Sequence, residues 1–273
     1  MDKKLIDIMK YEQKNKYMFE GVDKLELVYK LIEYIGDMNS EIRDSLLYPN
    51  IAHLLHDKHL TKEELIQITE LLIGDEYLTY DMENKEKYSV LKRSFTTLQL
   101  VILVFVHNRD DLYTSEMLNR ILNTFINYYK NEAILIGYKE EVGWLHSIAH
   151  GADFFAQIVK WKEISETSLR TIFEVIRDKF LIDSYNFVSD EDERTVTAIV
   201  NAMNREILKE EFWTDWVKGF DNYKKPETYP EIYIYKNNKK NLLRSLYFRI
   251  LNEEKNQDLV KLLEEKIKEM EKR

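Results

Sequence analysis

The amino-acid sequence predicts an all-α protein, an α-solenoid of about five antiparallel helix pairs closed by a terminal capping helix. The composition is typical of a helical protein, because only 7 of the 273 residues are Gly and 3 are Pro, while 44% are hydrophobic and 33% are charged. Apolar residues also recur at helical spacing along most of the chain. The third observation is a short repeated pattern, in which a basic residue is followed by a small polar residue and an apolar helical run.

The repeated pattern occurs five times. Its copies begin at Arg43, Arg93, His146, Arg194 and Arg244. The steps between them are 50, 53, 48 and 50 residues, a regularity typical of stacked supersecondary units. We therefore expect one helical-repeat domain over residues 1–273.

The helix pairs can be placed from start and stop signals. We expect them at residues 22–57, 61–107, 114–161, 165–208 and 211–251, followed by a tail at 253–273. Thr61 and Glu64 have the spacing of a capping box, and Pro49 is expected to kink the second helix. Two of the three prolines lie in 224–230, which is expected to be an extended linker, with the last helix of the fifth pair starting near Asn237.

Composition and charge exclude several classes of function. There is no Cys, which rules out disulfides and thiolate zinc sites and fits a reducing cytosol. The N-terminus has no apolar signal region, so a cytoplasmic location is expected. The longest apolar stretch, 98–106, is about half of the ~20 residues that a membrane helix needs, which predicts a buried helix and no membrane. A net charge of −9 argues against nucleic acid as a partner.

The turn at 36–44, GDMNSEIRD, resembles the turn of HEAT-type repeats, in which an acid pairs with an Arg of the next helix. Two interpretations of the repeated basic residues stay open. In one, Arg43, Arg93, Arg194 and Arg244 form an internal ladder of charged hydrogen bonds. In the other, several of them receive an anionic group on a concave surface. The many nearby acids, such as Asp44 and those at 191–193, favour the ladder.

The third copy of the pattern, GWLHSIAHGAD at 143–153, differs from the others. On a helix, His146, His150 and Asp153 would share one face. Two histidines one turn apart can bind a divalent transition metal such as zinc or iron. Asp153 lies about 10 Å from His146 along a helix, so a remote acid would complete the site. The candidates are Glu41, Asp44, Asp81, Asp192 and Glu193.

Three alternatives without a metal remain for this segment. His150 can act as a general base oriented by Asp153, although no nucleophile is evident. The two histidines can instead hydrogen-bond across repeats, while Gly143 and Gly151 allow helices to approach closely. A polar ligand pocket is the third. A second histidine group, at 53, 56 and 59, is expected to face solvent, as is the basic run at 236–240.

The string at 143–153, together with EIRD at 41–44 and ERT at 193–195, resembles a bacterial family known as domain of unknown function 2785. The likeness spans most of the chain. It implies a bacterial helical-repeat protein and brings no established reaction. It also implies that Trp144, His146, His150 and Asp153 belong to one shared surface.

The sequence therefore predicts a binding protein for a small polar ligand or a partner peptide. The candidate ligand-binding residues are Arg43, Asp44, Arg93, Trp144, His146, His150, Asp153 and Arg194. One alternative is a hydrolytic or oxidative enzyme with a metal on His146 and His150. Another is a scaffold or immunity-type protein whose acidic surface masks a basic partner.

Overall fold

The computed structural model describes residues 1–271, and this part of the chain is mostly helical. The helices are α1 (Lys3–Lys14), α2 (Lys24–Ile32), α3 (Ser40–Ile42), α4 (Tyr48–His56), α5 (Lys62–Leu72), α6 (Val90–Asp110), α7 (Ser115–Asn131), α8 (Ser147–Ile158), α9 (Glu166–Phe180), α10 (Glu191–Met203), α11 (Glu210–Gly219), α12 (Glu231–Ile250) and α13 (Gln257–Glu271). A π-helical segment, Arg43–Leu47, joins α3 to α4. Two short strands, β1 (Tyr138–Lys139) and β2 (Gly143–Trp144), pair antiparallel. The all-α prediction is confirmed.

Local signals set many helix starts where the sequence places them. The Thr61 hydroxyl accepts the Glu64 N–H, and the Glu64 carboxylate accepts the Thr61 N–H, so the predicted capping box begins α5. Thr114 and Ser165 cap α7 and α9 in the same way, each through a hydroxyl that accepts an N–H three residues later.

Near the two ends of the chain, α1 and α12 differ from the sequence prediction. α1 lies ahead of the first expected pair, with Leu5 and Met9 buried on one side. Its Glu12 is also buried, and the carboxylate accepts the Phe19 N–H at 2.7 Å. α12 begins at Glu231, six residues before the expected start at Asn237.

Pro49 acts on the helix just ahead of it. A proline has no N–H for the carbonyl four residues earlier and clashes with it. Here that carbonyl belongs to Ser45, within the π-helical segment, and it accepts the side-chain amide of Gln13 at 3.1 Å. The expected kink is therefore a local widening of the helix between Arg43 and Leu47.

The tertiary contacts divide the chain into two compact units, residues 1–154 and residues 155–273. The single-domain expectation stays a prediction. In the first unit, α6 contains buried Leu100, Leu103 and Val104. α6 is long and apolar enough to cross a membrane, but 72% of its most apolar 18-residue stretch is buried inside the protein. The expectation of a buried helix at 98–106 is confirmed for most of the stretch; Phe105 is exposed, and Leu98, Val101 and Ile102 are half-buried.

The second unit buries an acid at the start of α10. Glu191 is 1% exposed, and its carboxylate accepts the Ser189 N–H at 2.7 Å. Burial raises the pKa of Glu191, with a smaller contribution from the neighbouring acids Asp192 and Asp190, although the Ser189 N–H opposes the shift. The folded state therefore resists ionisation of this carboxyl.

Glu191→Gln is expected to be at least as stable as the wild type at pH 7. The substitution removes the cost of ionising a buried acid, and the amide oxygen can still accept the Ser189 N–H. A raised pKa costs stability as pH rises through the unfolded value, so the advantage should vanish near pH 4. Urea unfolding at several pH values measures this. Glu193→Gln is the control, because it removes an exposed ion pair with Arg249; equal pH profiles for both variants would contradict the prediction.

Candidate functional site

The segment with the unusual motif begins as a β-hairpin. Tyr138 pairs with Trp144, and Lys139 pairs with Gly143. The Gly137 carbonyl then accepts the N–H groups of Leu145 and His146, at 2.8 and 3.2 Å, which turns the chain into α8. The expectation that His146, His150 and Asp153 lie along one helix is therefore wrong for His146, because α8 begins at Ser147.

The buried side chain of Arg43 donates hydrogen bonds to the backbone of this hairpin. The Arg43 Nη2 donates to the carbonyls of Val142 and Trp144, at 2.8 and 3.3 Å, and Nη1 donates to the Asp37 carbonyl at 2.8 Å. Its Nε lies 2.8 Å from Asp44 Oδ1, and its guanidinium lies 4.6 Å from the centre of the Phe95 ring. The guanidinium therefore fixes the backbone on both sides of Gly143.

Gly143 fits where other residues would not. Its φ is +76°, and a Cβ here would lie 2.9 Å from the Cβ of Ser40. Both conditions favour glycine. The close approach lets the hairpin lie directly on the start of α3.

Asp44 is half-buried beside Arg43. Burial raises the pKa of the Asp44 carboxyl, while the charge of Arg43 and its hydrogen bond oppose the rise. The HEAT-like expectation pairs an acid of the turn with Arg43. In the structure Arg43 takes the backbone carbonyl of Asp37 and the carboxylate of Asp44.

A chain of aromatic contacts runs from the surface inward. Trp144 is 45% exposed and packs edge-on against Tyr138, which is 51% exposed, at 4.9 Å between ring centres. Trp144 also packs on His146 at 4.2 Å, and His146 meets the edge of His150 at 5.5 Å. His146 has φ +48°, a left-handed backbone that is rare for a residue other than glycine. The histidines, 8% and 5% exposed, thus lie directly behind the exposed aromatic pair.

The contacts of His150 define its tautomer. The Ser94 hydroxyl donates its one proton to the Leu145 carbonyl, and its oxygen lies 2.8 Å from His150 Nδ1. The Ser94 carbonyl, which can only accept, lies 3.3 Å from the same nitrogen. His150 Nδ1 therefore carries a proton and donates in this arrangement.

This arrangement does not activate Ser94 as a nucleophile. A catalytic histidine accepts the serine proton, whereas here the imidazole donates to the serine oxygen. Ser94 is also fully buried. The pair instead fixes the ring of His150, and Ser147 Oγ, donating to the Ile134 carbonyl at 2.7 Å, fixes the start of α8.

Arg93 was a candidate ligand-binding residue, but its side chain is not accessible to a ligand from solvent. Its side chain is fully buried, and it forms a two-pronged ion pair with Glu132, Nε to Oε2 at 2.7 Å and Nη2 to Oε1 at 2.8 Å. Nη1 donates to the carbonyls of Tyr80 and Asp81 and to Ser89. Arg93 therefore ties α6 to the end of α7 and to the loop before α6.

The other repeated arginines lie in the second unit, on its surface. Arg194 is partly exposed, with its Nε 3.5 Å from Asp190 of the preceding turn. Arg244 is exposed on α12. An internal role of the kind proposed for the ladder thus fits Arg43 and Arg93, but not Arg244.

A metal site does not assemble around the histidines. Within residues 1–271, no three His, Asp or Glu side chains converge in a way that could hold a metal ion. Several of the remote acids have partners of their own: Asp44 pairs with Arg43, while Asp192 and Glu193 bind Ser245 and Arg249 of the second unit. Within the described residues, no acid therefore joins His146 and His150 as the third ligand that the metal hypothesis requires.

Three residues at or near the site were not proposed from the sequence: Tyr138, Ser94 and Glu132. The pairing of Gly-Tyr at 137–138 with Gly-Trp at 143–144 is a signal for a hairpin that would have located Tyr138. Ser94 contacts His150, 56 residues away in the chain, and Glu132 pairs with Arg93, 39 residues away. A local sequence pattern cannot indicate contacts over such separations.

Comparison with protein families shows which family the chain belongs to. A model described as "Protein of unknown function (DUF2785)" matches residues 78–248, more than half of the chain. The chain belongs to this family. The matched residues of this DUF2785 protein include the hairpin, both histidines and Arg93, whereas Arg43 and Asp44 lie before them. No curated protein and no solved structure matches the chain.

Proposed function

We propose that this DUF2785 protein is a binding protein whose site is the surface of Tyr138, Trp144 and His146, with His150 behind it and Asp153 one turn further along α8. The ligand is a small polar molecule or a partner peptide. The observation that carries the proposal is the exposed Trp144 ring packed on His146, a residue with a left-handed backbone. Arg43 donates to the Trp144 carbonyl and the His146 N–H donates to the Gly137 carbonyl, so both positions are held by hydrogen bonds. Backbone strain of this kind persists where the surroundings enforce it, and it clusters at functional sites.

The contacts around the site favour binding through aromatic faces. Tyr138 and Trp144 offer apolar rings with polar tips, a combination enriched at recognition surfaces. The hairpin turn adds two exposed acids, Glu140 and Glu141. Negative charge beside aromatic faces favours a cationic or planar polar group on the ligand.

The buried arginines support a ligand of this type rather than an anion. The guanidinium of Arg43 and that of Arg93 are enclosed, and protein oxygens accept their hydrogen bonds. Neither presents a charge to solvent. The role proposed for Arg43 is to position Trp144.

We further propose a HEAT-like plan for the helix pairs, a bacterial source and a cytoplasmic location. The regular steps of the basic residues and the Arg43 contact to the turn at Asp37 support the HEAT-like plan. The absence of Cys is consistent with a reducing compartment.

Peptide selection with Trp144→Ala as the counter-target tests the proposed site. A displayed peptide library would be selected on the wild type and depleted on the variant, and the enriched peptides measured individually. We expect them to bind the wild type with a Kd at least about tenfold lower than that for Trp144→Ala, because an aromatic anchor contributes about 1.4 kcal/mol or more.

The selection includes a control and a direct readout. Of the four tryptophans, Trp144 is exposed and the other three are at most 2% exposed, so a bound peptide should protect Trp144 from acrylamide quenching. Trp161→Phe is the matched control and should leave the affinity unchanged. Peptides that bind both targets equally, or stoichiometric metal lost on His146→Ala/His150→Ala, would contradict the proposal.

A further inference from the structure

One side of α12 carries aromatic and basic side chains along its whole length. Tyr233, Lys236, Lys240, Arg244 and Phe248 follow one another at steps of three or four residues, so they lie on one face of the helix. We call these five residues the basic-aromatic face. Tyr233 and Phe248 are 62% and 64% exposed, Arg244 is exposed, and the two lysines are half-buried.

The opposite side of α12 belongs to the core of the second unit. Leu242, Leu246 and Ile250 are fully buried there, and α12 packs against α10 and α13. Folding of the second unit therefore accounts for one side of the helix and leaves the basic-aromatic face outward.

The cations of this face lie in a row along one side of a single helix. No ion pair joins Lys236, Lys240 or Arg244 to an acid within residues 1–271. Three acids on the flanking helices have other partners. On α10, Glu193 accepts from Arg249 and Asp192 accepts from Ser245, while on α13 Glu264 pairs with Lys268.

The exposed aromatics frame these cations. Tyr233 and Phe248 are 15 residues apart, about 22 Å along the helix. Next to them, Tyr229 is 74% exposed beside Tyr233, and Leu251 is 36% exposed just beyond α12. A row of cations between two apolar ends fits an amphipathic partner with acids in its middle, because tyrosine, phenylalanine and arginine are common anchors at protein interfaces.

We propose that the basic-aromatic face binds an acidic, amphipathic helix of a partner protein. Charge complementarity carries the choice: three cations without ion-pair partners lie on a chain of net charge −9. A nucleic acid is disfavoured, because its affinity comes mostly from cations that neutralise phosphates, this face has three cations, and the overall negative charge repels a polyanion. This surface lies in the second unit and shares no residue with the Trp144 site, so each proposal can fail alone.

A pair of designed helical peptides tests this inference. Both carry the same leucine stripe, one with Glu and the other with Lys at the remaining positions, and binding to the full chain is followed by fluorescence anisotropy. We expect the Glu peptide to bind with a Kd below about 100 µM and to weaken as salt is raised above ~0.1 M, where screening shortens the reach of surface charges. The Lys peptide should bind at least about tenfold more weakly.

Variants show whether the peptide uses this face. Lys240→Glu/Arg244→Glu should weaken binding at least about tenfold, and Tyr233→Ala/Phe248→Ala should also weaken it. Lys160→Glu/Lys162→Glu is the control, since it makes the same charge change at two exposed lysines of the same unit. Circular dichroism checks folding, and Lys240→Gln/Arg244→Gln is a milder second variant.

Four outcomes would overturn the inference. They are no binding of the Glu peptide, equal loss of binding in the control, tighter binding of a 20-nucleotide oligothymidylate, and self-association of the wild type that Arg244→Glu abolishes. The third would indicate nucleic acid and the fourth a second copy of the chain as the occupant.

Discussion

Arg93→Met is expected to lower the free energy of unfolding by about 3–5 kcal/mol, because it removes the cation that pairs with a buried carboxylate. Glu132 is 3% exposed, and both of its oxygens accept from the Arg93 guanidinium. The carbonyls of Tyr80 and Asp81 also lose their donor. The methionine fills part of the space, so the loss comes mainly from uncompensated charge and unpaired carbonyls.

Urea unfolding measures the loss, with Arg120→Met as the control. Arg120 pairs with Glu70, but both side chains are about half exposed, so its loss should cost at most about 1 kcal/mol. Arg93→Met/Glu132→Leu should recover part of the stability, because the pair is removed together. If the double variant were as unstable as the sum of the two single variants, the charge argument would fail.

Arg43→Met is expected to cost about 2–4 kcal/mol, because three buried or partly buried carbonyls lose their donor, and it should also loosen the hairpin. The carbonyls of Val142 and Trp144 lie on either side of Gly143, so their release frees the backbone that holds Trp144. Hydrogen exchange of the Leu145 and His146 N–H groups should accelerate, since both donate within the same turn.

Arg205→Met provides a close control for Arg43. Arg205 also donates to three carbonyls, those of Val159, Trp161 and Lys162, but it is half-buried and lies in the second unit. It should cost less stability and leave exchange at Leu145 and His146 unchanged. Fast exchange at these two amides in both variants, or in neither, would show that Arg43 does not hold the hairpin.

The sequence predicted the helices well where periodicity and caps agree. The capping box at Thr61 and the buried helix at 98–106 are examples, because each depends on residues close together in the chain. α1 was not predicted, since its twelve residues are largely polar and one of the side chains facing the core is a glutamate.

The candidate site could be predicted only in part. The segment 143–153 was singled out for its composition, but its histidine spacing suggested one continuous helix. The left-handed backbone of His146 and the hairpin before it follow from the Gly137 carbonyl and from Arg43, which lies about 100 residues earlier. Contacts over that distance are set by tertiary packing, so local periodicity could not indicate them.

The π-helical segment Arg43–Leu47 has a consequence for chain length. A wider turn arises when one extra residue is inserted into an α-helix. Deleting one residue at 45–47 would remove the extra residue of the wide turn, although Pro49 would still disturb the helix there, and it would rotate Arg43 by about 100° around the axis relative to α4. The direction in which Arg43 points is thus encoded by an insertion as well as by residue type, so comparisons within the family should count residues between this arginine and α4.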